Sequence, residues 1–196
     1  MTGDGRVPIS IVCVYNDPAV LASCLERSVD LGRAEAPEIE LIAVDNRAQR
    51  FTSAGSALNH GARQARHPVV AFVHQDVYLH SLPTLEAAGA SLLANPDVGL
   101  LGAVGISPSG RVLGIVRDRV VMIGDPSDGT TEVDSVDEVL FLLRREDVLA
   151  SPLAEDPDLA WHAYGVEYAA RERSRGRRVL TADLAITHNS MTVNLD

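Results

Sequence analysis

Short, unbroken apolar runs alternate along the first half of the chain with longer stretches whose apolar residues recur every three or four positions. Ile9–Tyr15 reads as a first strand. Asp17 then suits an N-cap and Pro18 a first helical residue. A helix is predicted from Pro18 to about Val29, with Val20, Leu21, Cys24, Leu25 and Val29 as its apolar face. Ile39–Asp45 reads as a second strand. A polar loop follows, and Thr52 or Ser53 caps a helix through Ala65. Asn59 and Gly61 are poor helix formers inside it, which points to packing or to a ligand. Val69–Val73 is apolar throughout and mostly β-branched or aromatic, bounded by Pro68 and by His74-Gln75-Asp76-Val77. That suits a strand buried on both faces. Ser81-Leu82-Pro83 opens a helix ending near Asn95-Pro96, and Val98–Val104 reads as a fourth strand. Strands alternating with helices in this way predict right-handed crossovers and an α/β fold, with a mostly parallel central sheet and helices on both faces.

The pattern changes after Gly105. Glycines, prolines and aspartates surround short β-prone runs at Val112–Val116 and Arg119–Ile123, which predicts a hairpin or irregular excursion as far as Thr130. Thr131–Val136 and Val139–Leu143 form another strand region, broken by Asp137-Glu138. Arg145–Ala150 reads as a short helix and Glu155–Asp158 as an acidic loop. Trp161–Ser174 reads as a helix closed by Gly176. Val179–Ala182 is a last short strand, Ile186–Ser190 a polar exit, and Met1–Pro8 a short leading tail.

Composition narrows the function classes. The chain has 196 residues, 46% hydrophobic and 22% charged, as expected for one globular domain over residues 1–196. No apolar run reaches the length of a membrane span, and no signal-peptide pattern opens the sequence. Together with only two cysteines, this predicts a cytoplasmic protein. A formal charge of -10 argues against nucleic acid or an anionic membrane as the main partner. All 17 basic residues are arginine, which excludes a Walker-type phosphate loop and a lysine Schiff base. The turn Asn16-Asp17-Pro18 lacks the glycines of a dinucleotide site. There is no Gly-x-Ser-x-Gly elbow and no zinc-type histidine pattern.

Two strands end in carboxylates, Asp45 and Asp76. Ligands of open α/β sheets sit outside the carboxyl ends of the strands. A carboxylate there either caps a turn or holds a divalent cation that neutralises a substrate's phosphates.

The order of motifs resembles a family 2 glycosyltransferase of the GT-A fold (the nucleotide-diphospho-sugar transferase fold), in a compact glycosyltransferase-like subgroup with a His-Gln-Asp-Val motif. The likeness rests on Ile9–Asn16, Ile39–Asn46, the Asn-x-Gly helix from Ala57 to Ala65, Val70–Val77, and Tyr164–Val179 with Arg171 and Gly176, followed by His188. It implies transfer of a sugar from a nucleoside-diphosphate sugar, with inversion, to a glycan, lipid-linked or small-molecule acceptor. By the same resemblance Tyr15, Asn16 and Asp45 contact base and ribose, Asn59 frames the nucleotide pocket, and Gln75 adds a donor contact. Trp161 is the candidate for stacking on a sugar, with Tyr164 more naturally in the core. Asp76 and His188 would hold Mn or Mg. A homo-oligomer stays open.

The chain departs from the family twice. His74 stands where the usual motif has its first aspartate, so one carboxylate remains and the metal site is expected to be thin in protein ligands. The Glu-Asp pair that opens the late helix is replaced by Tyr164-Gly165. Glu167 is then the first candidate for the base that takes the acceptor's proton and Asp137 the second. Their bland alternatives are an ion pair of Glu167 with Arg171 one turn on and a loop cap for Asp137. These departures also motivate a second reading, a catalytically degenerate nucleotide- or sugar-binding or scaffold protein.

Overall fold

The computed structural model describes residues 5–127 and 129–190, so the expected leading tail lies partly outside the described residues. The strands of the first half are β1 (Ile9–Tyr15), β2 (Glu40–Asp45), β3 (Val69–Val73), β4 (Val77–Leu79) and β5 (Val98–Gly102). The excursion holds β6 (Gly105–Ile106), β7 (Val112–Leu113), β8 (Val116–Asp118) and β9 (Val121–Ile123). Beyond it come β10 (Thr130–Glu132), β11 (Ser135–Val136), β12 (Leu140–Arg144), β13 (Arg178–Ala182) and β14 (Ile186–His188).

The main sheet has the order β10-β13-β5-β12-β3-β1-β2. β2, β1 and β3 run parallel, and so do β5 and β13. β12 lies antiparallel between β3 and β5, and β10 is an antiparallel edge. The mostly parallel sheet is therefore as expected. Alternation along β1 sends Ile9, Ile11 and Cys13 to one apolar cluster and Val12 to the other, one on each face.

The helices are α1 (Pro18–Leu21), α2 (Arg27–Gly32), α3 (Ala54–Ala62), α4 (Leu82–Ala94), α5 (Arg145–Ala150) and α6 (Tyr164–Ser174). Asp17, Ser53 and Ser81 accept backbone N–H bonds as N-caps. A π-helical turn, Ala22–Glu26, joins α1 to α2, so the first helical stretch runs past Val29. Gly61 explains its own place in α3. A Cβ there would stand 2.4 Å from Val12 Cγ1, so only glycine lets the helix lie this close to β1.

Three sequence expectations change. Ile186–His188 is not a polar exit but a strand, antiparallel to β4 and parallel to β8. Thr131–Val136 divides between two sheets as β10 and β11. The late helix starts at Tyr164 rather than Trp161, because Ala160 and Ala163 have φ of 46° and 59°, which an α-helix does not allow. Among the described residues no helix is long and apolar enough to cross a membrane.

Arg144 staples the second half to the first. It is 6% exposed and donates to the carbonyls of Leu92 (2.5 Å), Asn95 (2.5 Å) and Val98 (2.6 Å), which close α4 and open β5. Asp147 pairs with it at 3.2 Å. Truncation would leave those buried acceptors without a donor. Arg144→Ala should lower the unfolding free energy by roughly 3 kcal/mol or more, read from the denaturation midpoint. A loss below about 0.5 kcal/mol, the range of an ordinary surface change, would refute the staple.

Candidate active site

Because β1, β2 and β3 are parallel, their carboxyl ends open on one side of the sheet. A cavity of about 690 Å³ lies there, lined among others by Tyr15, Asn16, Arg47, Phe51, Phe72, His74, Gln75, Asp76, Trp161 and Tyr164. The volume is that of a small-molecule site.

Its floor is held by internal hydrogen bonds. The Gln75 side chain accepts from the N–H groups of Asn16 and Asp17, both at 3.1 Å, and donates to Asn16 Oδ1 at 2.8 Å. Gln75 thus clamps the glycine-free turn after β1 to the end of β3. Asn59 is 2% exposed. Its amide bonds Leu153 in both directions and Glu155, so it ties that segment to α3 and does not itself line the cavity.

Asp76 sits just past β3, and the chain's last described strand meets it. Pairing of β14 with β4 sets His188 opposite Val77. His188 Nε2 then lies 3.4 Å from Asp76 Oδ1, and Nδ1 lies 3.8 Å from Asp118. Asn189 donates to the Asp76 carbonyl from both backbone and side chain, at 2.9 and 3.1 Å. His74 completes the group, its ring 5.9 Å from that of His188 and its Nε2 3.2 Å from the Tyr164 hydroxyl. Donor atoms of His74, Asp76 and His188 all lie within 4.8 Å of one another. The candidate ligand set therefore has one member more than the Asp76 and His188 expected from the sequence. The third donor is the histidine standing in place of the missing aspartate. Two imidazoles and one carboxylate could hold a divalent cation, and the tyrosine hydroxyl orients the half-buried His74 ring.

The electrostatics agree with that use. Burial raises the Asp76 carboxyl, but the His188 hydrogen bond and the charges of both histidines outweigh it and leave it below its ordinary range. The Asp76 hydrogen bond raises His188. Burial lowers His74, which favours the neutral, ligating form.

The remaining candidates are placed differently. Asp45 is held by Arg47, with contacts of 2.6 to 3.0 Å, and its pKa is lowered by those bonds. Arg47 also lies over the Tyr15 ring at 5.9 Å. The Asp45 carboxylate borders a shallow depression beside the main cavity. Trp161 lines the cavity and is 40% exposed, while Tyr164 is buried but also reaches the cavity. Glu167 is paired with Arg171 at 3.0 Å, and Arg171 is itself anchored to Ser151 and Pro152. Glu167 is not among the residues that line the cavity. Asp137 is exposed at the foot of β12, where Oδ1 accepts from Val139 N at 2.9 Å.

Sequence reasoning missed Glu138. Its carboxylate accepts from Gly165 N at 3.1 Å and Val166 N at 3.4 Å, so it caps α6 from the turn that leads into β12. Burial and the Asp137 charge raise its pKa against those bonds. The helix itself lacks a capping side chain at Ala163, and that absence was the signal available.

The chain matches a family model described as a glycosyltransferase like family over residues 10–192. It is similar in structure to GalNAc-T7 with UDP, GalNAc and Mn2+, at 12% identity and TM-score 0.64, covering 96% of this chain and 44% of that one. It is also similar to the mannosyltransferase PcManGT from Pyrobaculum calidifontis in complex with GDP-Man and Mn2+, at 17% identity and TM-score 0.63, covering 96% and 59%. At these identities the likeness shows the fold, which is GT-A, and this chain spans about half the length of those proteins. No curated protein matches it.

The His188–Asp76 contact has a direct readout. In Asp76→Asn the imidazole loses its charged partner, so the His188 titration followed by NMR should shift downward from its wild-type position. An unmoved or upward-shifted midpoint would show that the pair does not form in solution.

Proposed function

The chain belongs to the glycosyltransferase-like family, and from that premise we propose that it moves a sugar from a nucleoside-diphosphate donor to an acceptor hydroxyl, with inversion and with help from a divalent cation. The observation that carries this reading is the meeting of His74, Asp76 and His188 at the mouth of a cavity of about 690 Å³. That the two similar structures were solved with UDP or GDP-Man and with Mn2+ supports it.

In this reading Tyr15 and Asn16 meet the base and ribose. Asp45 joins them by sharing or exchanging its Arg47 partner, and Trp161 offers an aromatic face to the sugar. Gln75 holds the turn that carries Asn16 and faces the same cavity. His74, Asp76 and His188 would hold the cation, whose chemistry is to neutralise charge on the departing diphosphate. The acceptor oxygen attacks the anomeric carbon as the bond to the diphosphate breaks, and its proton passes to a carboxylate. We assign that carboxylate to Asp137, which is exposed and whose charge reaches both His74 and His188. Glu167 could serve only after release from Arg171. The commitment of Glu167 to an ion pair favours one second reading, a nucleotide binder without turnover.

Calorimetry with UDP, GDP and their sugars, with and without Mn2+, tests the proposal. One of them should bind, and Asp76→Ala should weaken the Mn2+-dependent binding at least about tenfold. A blank in every combination would sink it. Because Mn2+ must displace the proton that Asp76 favours on His188, affinity should rise with pH through the His188 titration; a flat profile argues against His188 as a ligand. Asp137→Asn should abolish sugar transfer while leaving nucleotide binding intact. Wild-type binding without release of nucleotide from its sugar would favour the second reading.

A further inference from the structure

The hairpin of β8 and β9 ends in an apolar tip that nothing in the described chain covers. Val120 is 84% exposed, Val121 and Met122 59% each, and Ile123 41%. An edge strand ordinarily buries alternate residues, and β9 buries none. The register pairs Asp118 with Val121, leaving Arg119 and Val120 as the two turn residues, where asparagine and glycine are favoured. Arg119 has a φ of 53°, a strained conformation for its side chain. A water-facing turn has no use for either the strain or four consecutive exposed apolar residues.

The charge at this tip is also unusual. Arg117 Nε donates to the Arg119 carbonyl at 3.0 Å, and Arg119 Nε to the Ser190 carbonyl at 2.7 Å. Neither guanidinium has a carboxylate partner among the described residues. The nearby acids are engaged elsewhere, Asp118 with His188 and Ser190, Asp125 with Arg111.

We propose that this hairpin is an interfacial anchor that docks the protein on an anionic phospholipid surface. Val120–Ile123 enter the headgroup boundary and Arg117 and Arg119 pair with lipid phosphates. The net charge of -10 opposes attraction of the whole body to such a surface. It also sets the orientation: the two arginines and the apolar tip face the lipid, and the rest of the acidic surface is turned away from it. A second copy is the poorer occupant. Two three-residue edge strands would bury far less than the roughly 1,200 Å² of a stable interface and would bring like-charged arginines together. β8 also carries Asp118, beside His188, so the anchor adjoins the site.

Flotation of the full chain with phosphatidylcholine vesicles, with and without phosphatidylglycerol, tests this independently of glycosyl transfer. The wild type should float with the anionic vesicles only, and more weakly as salt rises. Arg117→Gln and Arg119→Gln should each weaken binding about fivefold, and the double variant Val121→Ser/Met122→Ser should abolish it. Unchanged thermal midpoints and nucleotide binding would show that these exposed changes leave fold and cavity intact. No flotation, equal binding to both vesicle types, or binding indifferent to all the variants overturns the proposal. So does a wild-type dimer that the double variant converts to monomer, which would assign the tip to a second copy. If anionic vesicles bind while every nucleotide fails, the anchor stands and the transferase reading falls.

Discussion

Parallel strands leave all their carboxyl ends on one side of a sheet, and the candidate site follows from that constraint. The register of β1 with β2 sets Tyr15 beside Asp45. The pairing of β1 with β3 sends His74, Gln75 and Asp76 to the same side. β12 runs the other way, so its start faces the same edge: Leu140 pairs with Val73, which delivers Asp137 and Glu138 there. An antiparallel strand wedged into a parallel sheet thus contributes its entrance where its neighbours contribute their exits.

Closure of the metal cluster depends on a contact between distant parts of the chain. β14 returns beside β4, and its Asn189 fastens the Asp76 carbonyl while His188 meets the carboxylate. A half-buried carboxylate with no partner is expensive, so the histidine stabilises the folded chain even without a cation. Loss of one of the family's aspartates is less damaging than it first looks. A second carboxylate beside Asp76 would repel it, whereas a neutral, half-buried imidazole does not.

Elsewhere around the cavity the polar groups are largely engaged with one another. Gln75 fixes the turn after β1, Glu138 caps α6, Asn59 ties α3 to the Leu153 segment, and Arg171 holds Glu167. Such a network preorganises the walls and leaves fewer side chains to do chemistry. Ala160 and Ala163, both at positive φ, bracket Trp161 and turn the backbone just before α6. Backbone strain of this kind collects beside working sites.

The sequence alone determined the elements and the lip of the site. Apolar runs of strand length, helical periodicity and the Asp17, Ser53 and Ser81 caps are local signals, and they placed most of the first half. Asp76 could be singled out because a carboxylate after a wholly apolar run is conspicuous. Only the tertiary structure decided what meets it. His74 was visible in its motif, but nothing local shows that its ring lies beside His188. The Glu167–Arg171 pair was open to the sequence as an i,i+4 spacing, but the anchoring of Arg171 to Ser151 and Pro152, which fixes that pair in place, exists only in the fold. Ile186–His188 looked like an exit because a three-residue strand has too little periodicity to read; its pairing with β4 exists only in the fold. Strand register and helix rotation are set by packing between distant segments, and a single sequence carries no direct record of them.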